Sequence, residues 1–194
     1  MALRKRNLNI KLLNEAQLYS LCLKKKSEAQ KELYDRYAPQ MFSICRRYSN
    51  NNDALAEDLL QEAFFKIFTK LNQCKDPEKM SGWIKRVVVN TALEYLRKNT
   101  LKMKEMEGLE NLYADQTIES KIISSLDEAQ ILKLIEEIPE GCRTVFNAFI
   151  IDGLSHKEIS DVLGISISAS KTRLNDARKR LKKSVGLLYS VNLV

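Results

Sequence analysis

A chain of 194 residues with 44% hydrophobic side chains can bury the core of one medium domain or of two small ones, and its net charge of +7 suits a polyanionic partner. Three prolines and six glycines argue against collagen-like and β-rich architectures. A single histidine, His156, and four scattered cysteines without a CxxC pair argue against a zinc cluster, so no metal and no cofactor is expected.

The N-terminal stretch "MALRKRNLNIKLL" lacks the continuous apolar run of a signal peptide, and no segment approaches the length of a membrane span. The first helix is expected from Glu15 to Leu23, with Leu18, Tyr19 and Cys22 among its apolar positions. A second runs through "SEAQKELYDRYAPQMFSICRRYS". Ser27 is its expected N-cap, Leu33, Tyr37, Met41, Ile44 and Tyr48 form its apolar stripe, and Pro39 should bend or loosen it. Cys22 and Cys45 fall in these apolar patterns as reduced, packed thiols, which points to the cytoplasm. The Asn run before Asp53 starts a third helix with Leu55, Leu59, Phe64, Ile67, Phe68 and Leu71 on its apolar face. After the break "NQCKDPEKMSG", a fourth begins at Ser81. Its β-branched Val87–Val89 run could be read as a strand, but Trp83, Val87, Ala92 and Leu96 continue a helical spacing.

Residues 101–125 carry little periodic apolar content and read as an interdomain linker. From Glu105 to Glu140 there are ten acidic and two basic residues; from Ser155 to Lys183 there are three acidic and eight basic. Segments of opposite charge suggest different partners. "SLDEAQILKLIEEIP" is a further helix, capped at Ser125 with Glu128 three residues on and ended by Pro139 and Gly141. "CRTVFNAFIIDG" is another, stopped at Gly153. The fold class is therefore all-α, two small helical domains joined by an acidic linker: residues 15–100, a linker at 101–125, residues 126–185, and a tail at 186–194.

"LSHKEISDVLGISISASKTRLNDARKRLKK" carries the clearest local chemistry. Ser155 and Glu158 make a capping box, Ile159 and Val162 face inward, Gly164 permits a left-handed turn, Ile165 plugs the junction and Ser166 caps the next helix. On that helix Ser170, Leu174, Ala177 and Leu181 form one inward stripe and leave Lys171, Thr172, Asn175, Arg178 and Lys179 outward. Small residues at the front of such a helix allow close approach to the major groove, lysine and asparagine can bond base edges, and arginines can reach phosphates. The alternative is a helical hairpin whose charged face is simply solvated.

This segment resembles region 4 of the extracytoplasmic-function (ECF) subfamily of bacterial RNA polymerase sigma factors. The resemblance rests on Leu154-Ser155, Glu158-Ile159, Leu163-Gly164-Ile165-Ser166 and Lys171-Thr172-Arg173-Leu174. The chain departs from the family pattern at Ser168, Ala169 and Ser170, and Asp176 stands where a basic residue is common. "AEDLLQEAFFKIF" is similar to region 2.2 through Asp58, Leu59, Gln61, Glu62 and Phe64. "GWIKRVVVNTALEYLRKN" is similar to regions 2.3 and 2.4 through Trp83, Ile84, Asn90, Leu96, Arg97 and Lys98, with Glu94 in place of Asp.

The resemblance implies a sigma factor that binds core RNA polymerase, on its β′ clamp helices and β subunit, and directs initiation at promoter DNA. Asp58, Leu59, Gln61, Glu62 and Phe64 would then dock on polymerase. Trp83, Asn90, Arg97 and Lys98 would act on the −10 element, with the loop Asn72–Ser81 as a base pocket. Ser168, Lys171, Thr172, Asn175, Arg178 and Lys179 would read −35. It also implies an anti-sigma factor as a partner, and neither enzymatic activity nor membrane insertion. His156 would be a phosphate neighbour or a plain surface residue. The competing reading is a one-component helix-turn-helix regulator that acts without being a polymerase subunit.

Overall fold

The computed structural model describes residues 10–104 and 128–191. The chain divides into two compact units, Met1–Ala92 and Leu93–Val194. Every long element is an α-helix: α1 (Glu15–Leu23), α2 (Ser27–Tyr48), α3 (Asp53–Lys70), α4 (Met80–Lys104), α5 (Glu128–Glu136), α6 (Glu140–Phe146), α7 (His156–Leu163) and α8 (Ile167–Val191). Among the described residues no helix is long and apolar enough to cross a membrane.

In the first unit α2 packs along α3. Leu33, Tyr37, Met41, Ile44 and Tyr48 are buried, as their helical spacing requires, and they meet Ala56, Leu59, Leu60, Ala63, Phe64 and Ile67 of α3. Phe64 is held by tilted contacts to Tyr34 at 4.6 Å and Phe68 at 5.9 Å between ring centroids. α1 lies across α2 through buried Leu18 and Cys22. The Tyr37 hydroxyl donates to Glu15, and Arg36 donates to Glu32 at 2.9 Å and to the Leu13 carbonyl at 3.2 Å. Burial pushes the Cys22 thiol up to about 11 and the Cys45 thiol up to about 12, so both stay protonated and unreactive.

Helix ends follow local chemistry with one exception. Asn14 and Gln17 close a capping box on α1. Asn52 caps α3 by accepting from the Leu55 amide at 3.1 Å, after Asn50 and Asn51 take the left-handed conformation that asparagine tolerates. Ser27, however, does not cap α2. Lys26 holds the N-cap position without a side-chain bond, and Ser27 is already the first helical residue. α2 then runs unbroken through Pro39, whose ring nitrogen has no hydrogen to offer the preceding turn; Ser43 donates back to the Pro39 carbonyl at 3.3 Å.

α4 is a helix despite its three consecutive valines, and its buried face includes only Ala92 of the four residues that continue the helical spacing. Ile84, Val88, Val89 and Ala92 are buried, while Trp83, Val87 and Leu96 are half-buried. The branched side chains pack inward, and this burial outweighs their modest helix penalty. α4 continues to Lys104, into the stretch read as a linker; residues 105–127, which include the expected cap Ser125, lie outside the described residues.

In the second unit Gly141 does not end a helix. Pro139 serves as N-cap and Gly141 sits inside α6, where a side chain would lie 3.8 Å from the Arg173 guanidinium. α6 then widens into a π turn, Asn147–Ile151, before Gly153 stops it at φ +78°. α8 seals this unit, burying Leu174 and Ala177, and the latter packs with Ile135 and Ile138.

Leu33 has no exposed surface, so Leu33→Ala should lower the unfolding free energy by about 2–5 kcal/mol in urea titrations. Ser27→Ala, which removes no cap, should stay within about 0.5 kcal/mol of the parent.

Candidate functional site

The helix-turn-helix is built from short-range bonds. The Ser155 hydroxyl accepts from the Glu158 amide at 3.3 Å, and Glu158 Oε2 accepts from the Ser155 amide at 2.8 Å. α7 ends at Gly164, whose φ of +67° is the left-handed value that favours glycine. The Ser160 hydroxyl donates to the Ile165 carbonyl at 2.6 Å and holds the turn, with Ile165 half-buried at the junction. Ser166 then caps α8 by accepting from the Ala169 amide at 3.0 Å.

Between the two helices lies a polar pair. Ser170 is fully buried on α8, and its hydroxyl bonds Nδ1 of His156 at 2.9 Å. The imidazole stacks on Phe149 of the π turn, with ring centroids 4.4 Å apart and planes 22° apart. His156 is therefore more than a plain surface residue; it satisfies a hydroxyl that would otherwise be buried unpaired. Burial, then the charges of Lys171 and Arg178, hold its pKa below the ordinary histidine value, which favours the neutral ring.

With Ser170, Leu174 and Ala177 turned inward, α8 leaves Ser168, Lys171, Thr172, Asn175 and Arg178 exposed. Lys179 departs from the expected outward set: it is half-buried and offers less of its side chain to a ligand. Asp176 is half-buried, close enough to Cys142 for its charge to add to burial in raising that thiol's pKa, and it follows Thr172 by one helical turn.

In the first unit α3 carries a second polar face. Asp58, Gln61 and Glu62 are all exposed, and Glu62 pairs with Lys66 at 2.9 Å. Leu59 and Phe64, expected on the same docking surface, are only 2% and 3% exposed. They sit on the opposite side of α3 and hold the helix in the core, because a residue one position from a polar face is turned about 100° away from it. Phe65 takes the outward place instead. It is 70% exposed and lies at i+3 and i+4 from Glu62 and Gln61, which puts an aromatic ring at the end of the polar patch. The family resemblance falls on Phe64, two residues after Glu62, and so does not include Phe65.

On α4, Trp83, Asn90 and Arg97 recur every seven residues and form one half-buried stripe, and Lys98 beside it is exposed. The loop before α4 is tied at both ends. Two 3-10 turns, Leu71–Gln73 and Pro77–Lys79, bracket buried Cys74, whose carbonyl accepts from the Tyr19 hydroxyl at 3.0 Å. Asp76 caps the second turn through the Glu78 amide at 3.0 Å. Among the described residues no group of three or more His, Cys, Asp or Glu is arranged to hold a metal ion.

A capped helix-turn-helix with a polar, cationic outer face defines the second unit as a reader of duplex DNA. Residues 33–101 match the model of Sigma-70 region 2, and residues 128–181 match that of Sigma-70, region 4. The chain is 32% identical to the RNA polymerase sigma factor SigZ of Bacillus subtilis over 133 residues, which span 69% of this chain and 74% of that protein. It is 28% identical to the ECF RNA polymerase sigma factor SigW of the same organism over 168 residues, 81% of this chain and 89% of that one. It is 27% identical to the ECF RNA polymerase sigma-E factor of Escherichia coli K12 over 160 residues, 77% and 83% of the two chains. The chain belongs to the ECF family of RNA polymerase sigma factors, and the one-component regulator reading gives way to that of an alternative sigma factor.

As the only histidine in the chain, His156 gives a pH signature. Its folded pKa lies below the ordinary value of 6.5, so the unfolded chain takes up the proton first as pH falls. The stability of the second unit should therefore be fully present above pH 6.5 and decline below it, as followed by thermal unfolding between pH 7.5 and 5.5. In His156→Gln that histidine-dependent slope should vanish.

Proposed function

We propose that this sigma factor docks on core RNA polymerase through the α3 face of Asp58, Gln61, Glu62 and Phe65, with Leu59 and Phe64 supporting that face from beneath. The acids suit basic residues on a partner helix, and the aromatic ring offers a contact that water exclusion strengthens. The stripe of Trp83, Asn90 and Arg97, with Lys98, acts on the −10 element. An aromatic ring, an amide and cations are the groups that grip unstacked bases. The exposed face of α8 reads the −35 element. Asn175, Lys171 and Thr172 bond base edges, Ser168 permits close approach, and Arg178 and Lys179 contact phosphates. An anti-sigma factor is a further protein partner on the family resemblance.

The protein itself performs no covalent chemistry; binding energy opens the DNA and polymerase carries out synthesis. The observation that carries this reading is the separation of faces on one chain. An acidic-aromatic face on α3 and a cationic-amide face on α8 suit a protein partner and a nucleic acid respectively.

Run-off transcription from a genomic promoter library with purified core polymerase tests it. Initiation at a defined promoter class is expected only when the protein is added, and tight duplex binding without any initiation would overturn the reading. Asp58→Lys with Glu62→Lys should weaken core binding about tenfold or more while leaving thermal unfolding in place. Phe65→Ala should weaken it as well, whereas unchanged affinity in both variants would remove the docking assignment. On selected promoters Asn175→Ala should relax base preference at one −35 position by about 1–3 kcal/mol, and Arg178→Ala should weaken all sequences alike and reduce the salt slope by about one.

A further inference from the structure

Eight exposed residues on α8, Ser168, Lys171, Thr172, Asn175 and Arg178 among them, are polar. One further exposed residue is not. Ile167, the first residue of the helix, keeps 44% of its surface exposed. Its place is fixed from both sides. Ser166 caps the helix immediately before it, and Ser170 is pinned inward by His156, so α8 has no freedom to roll and hide the side chain. Ile167, Lys171, Asn175 and Arg178 stand at i, i+4, i+8 and i+11, a single stripe along the outer face.

We infer that Ile167 is a base-reading residue that packs on the C5-methyl group of a thymine in the major groove of the −35 element. This inference rests on the reading of α8 as the −35 helix. The N-terminal residues of a recognition helix are the ones that reach base edges. The major-groove edges of the four base pairs present hydrogen-bonding groups and one apolar feature, the thymine methyl. An aliphatic side chain cannot bond the donors and acceptors of the other bases and would desolvate them without return. Ile167 and Lys171 are neighbours one turn apart, about 5–6 Å, against about 3.4 Å per base step. The thymine should therefore lie within two base pairs of the base that Lys171 reads.

The test uses the full chain in holoenzyme with core polymerase. Promoter duplexes are first selected from a library randomised across −35, and each thymine of the selected site is then replaced singly by deoxyuridine, which removes only the methyl group. With the parent protein, one substitution should weaken holoenzyme binding roughly fourfold, the value of one buried methyl-sized group. Ile167→Ala should lose a similar factor on the thymine duplex and become indifferent to deoxyuridine at that position. Ile167→Val, which keeps two methyl groups, should retain most of the discrimination. Because Ile167 is exposed, Ile167→Ala should unfold at the parent temperature, which separates a reading defect from a folding one. The inference is overturned if no deoxyuridine substitution matters, if the penalty persists unchanged in Ile167→Ala, or if the selected −35 site contains no thymine. If selection returns no −35 preference at all, the reading of α8 itself fails, a result distinct from methyl-indifferent recognition.

Discussion

A hydrogen bond of 2.9 Å between His156 Nδ1 and the buried Ser170 hydroxyl ties the two helices of the DNA-reading unit together. A valine at position 170 would pack there without needing a partner. Burying a hydroxyl costs free energy unless it is bonded. The compensation comes from fourteen residues earlier in the chain, where His156 supplies the partner and Phe149 supports the imidazole from below. What α8 shows to the outside depends on what fastens its inside. With Ser170 held, Lys171, Thr172, Asn175 and Arg178 have one direction to face. The same pair makes the unit sensitive to protonation, since Lys171 and Arg178 add their charges to burial in disfavouring a charged ring. An anion brought to those cations would relieve that repulsion, so the outer face of α8 and the His156–Ser170 pair are electrostatically linked.

The first unit solves a different problem with the same kind of helix. On the proposed docking, α3 holds the core together and also presents a face to a large protein partner. Leu59, Leu60, Ala63, Phe64 and Ile67 do the first, against α2, and the Phe64 ring is fixed by Tyr34 and Phe68. Asp58, Gln61, Glu62 and Phe65 are left for the second. A rigid inner face lowers the ordering cost of binding on the outer one, because the helix carrying the contact residues does not have to settle when the partner arrives. The acidic residues favour a basic partner and disfavour nucleic acid, while α8 does the reverse.

Much of this was legible in the residues, and the failures share one cause. The α2 stripe, the Ser155–Glu158 box, the Gly164 turn and the inward set Ser170, Leu174 and Ala177 follow from interactions between residues three or four apart. Ser27 looked like a cap because serine commonly is one, yet the helix starts one residue earlier in the turn and leaves it inside. Gly141 looked like a stop, yet it accommodates the Arg173 side chain within α6. Trp83 and Val87 carry the helical spacing of α4 yet are only half-buried, and Ile84 and Val88 beside them are the residues fully inside.

The amino-acid sequence by itself determined the helices, the Ser155 and Ser166 caps, the Gly164 turn and the order of the functional segments, because each depends on neighbours along the chain. The tertiary structure decided what the residue beside the apolar face does. Phe64 falls on that face by its spacing and is buried, whereas the exposure of the Phe65 ring at the end of the polar patch shows only once α2 is laid against α3. It also decided that His156 belongs to Ser170. Burial and hydrogen-bond partnership are properties of groups brought together from distant positions, and a residue's own chemistry states only what it needs, not what will supply it.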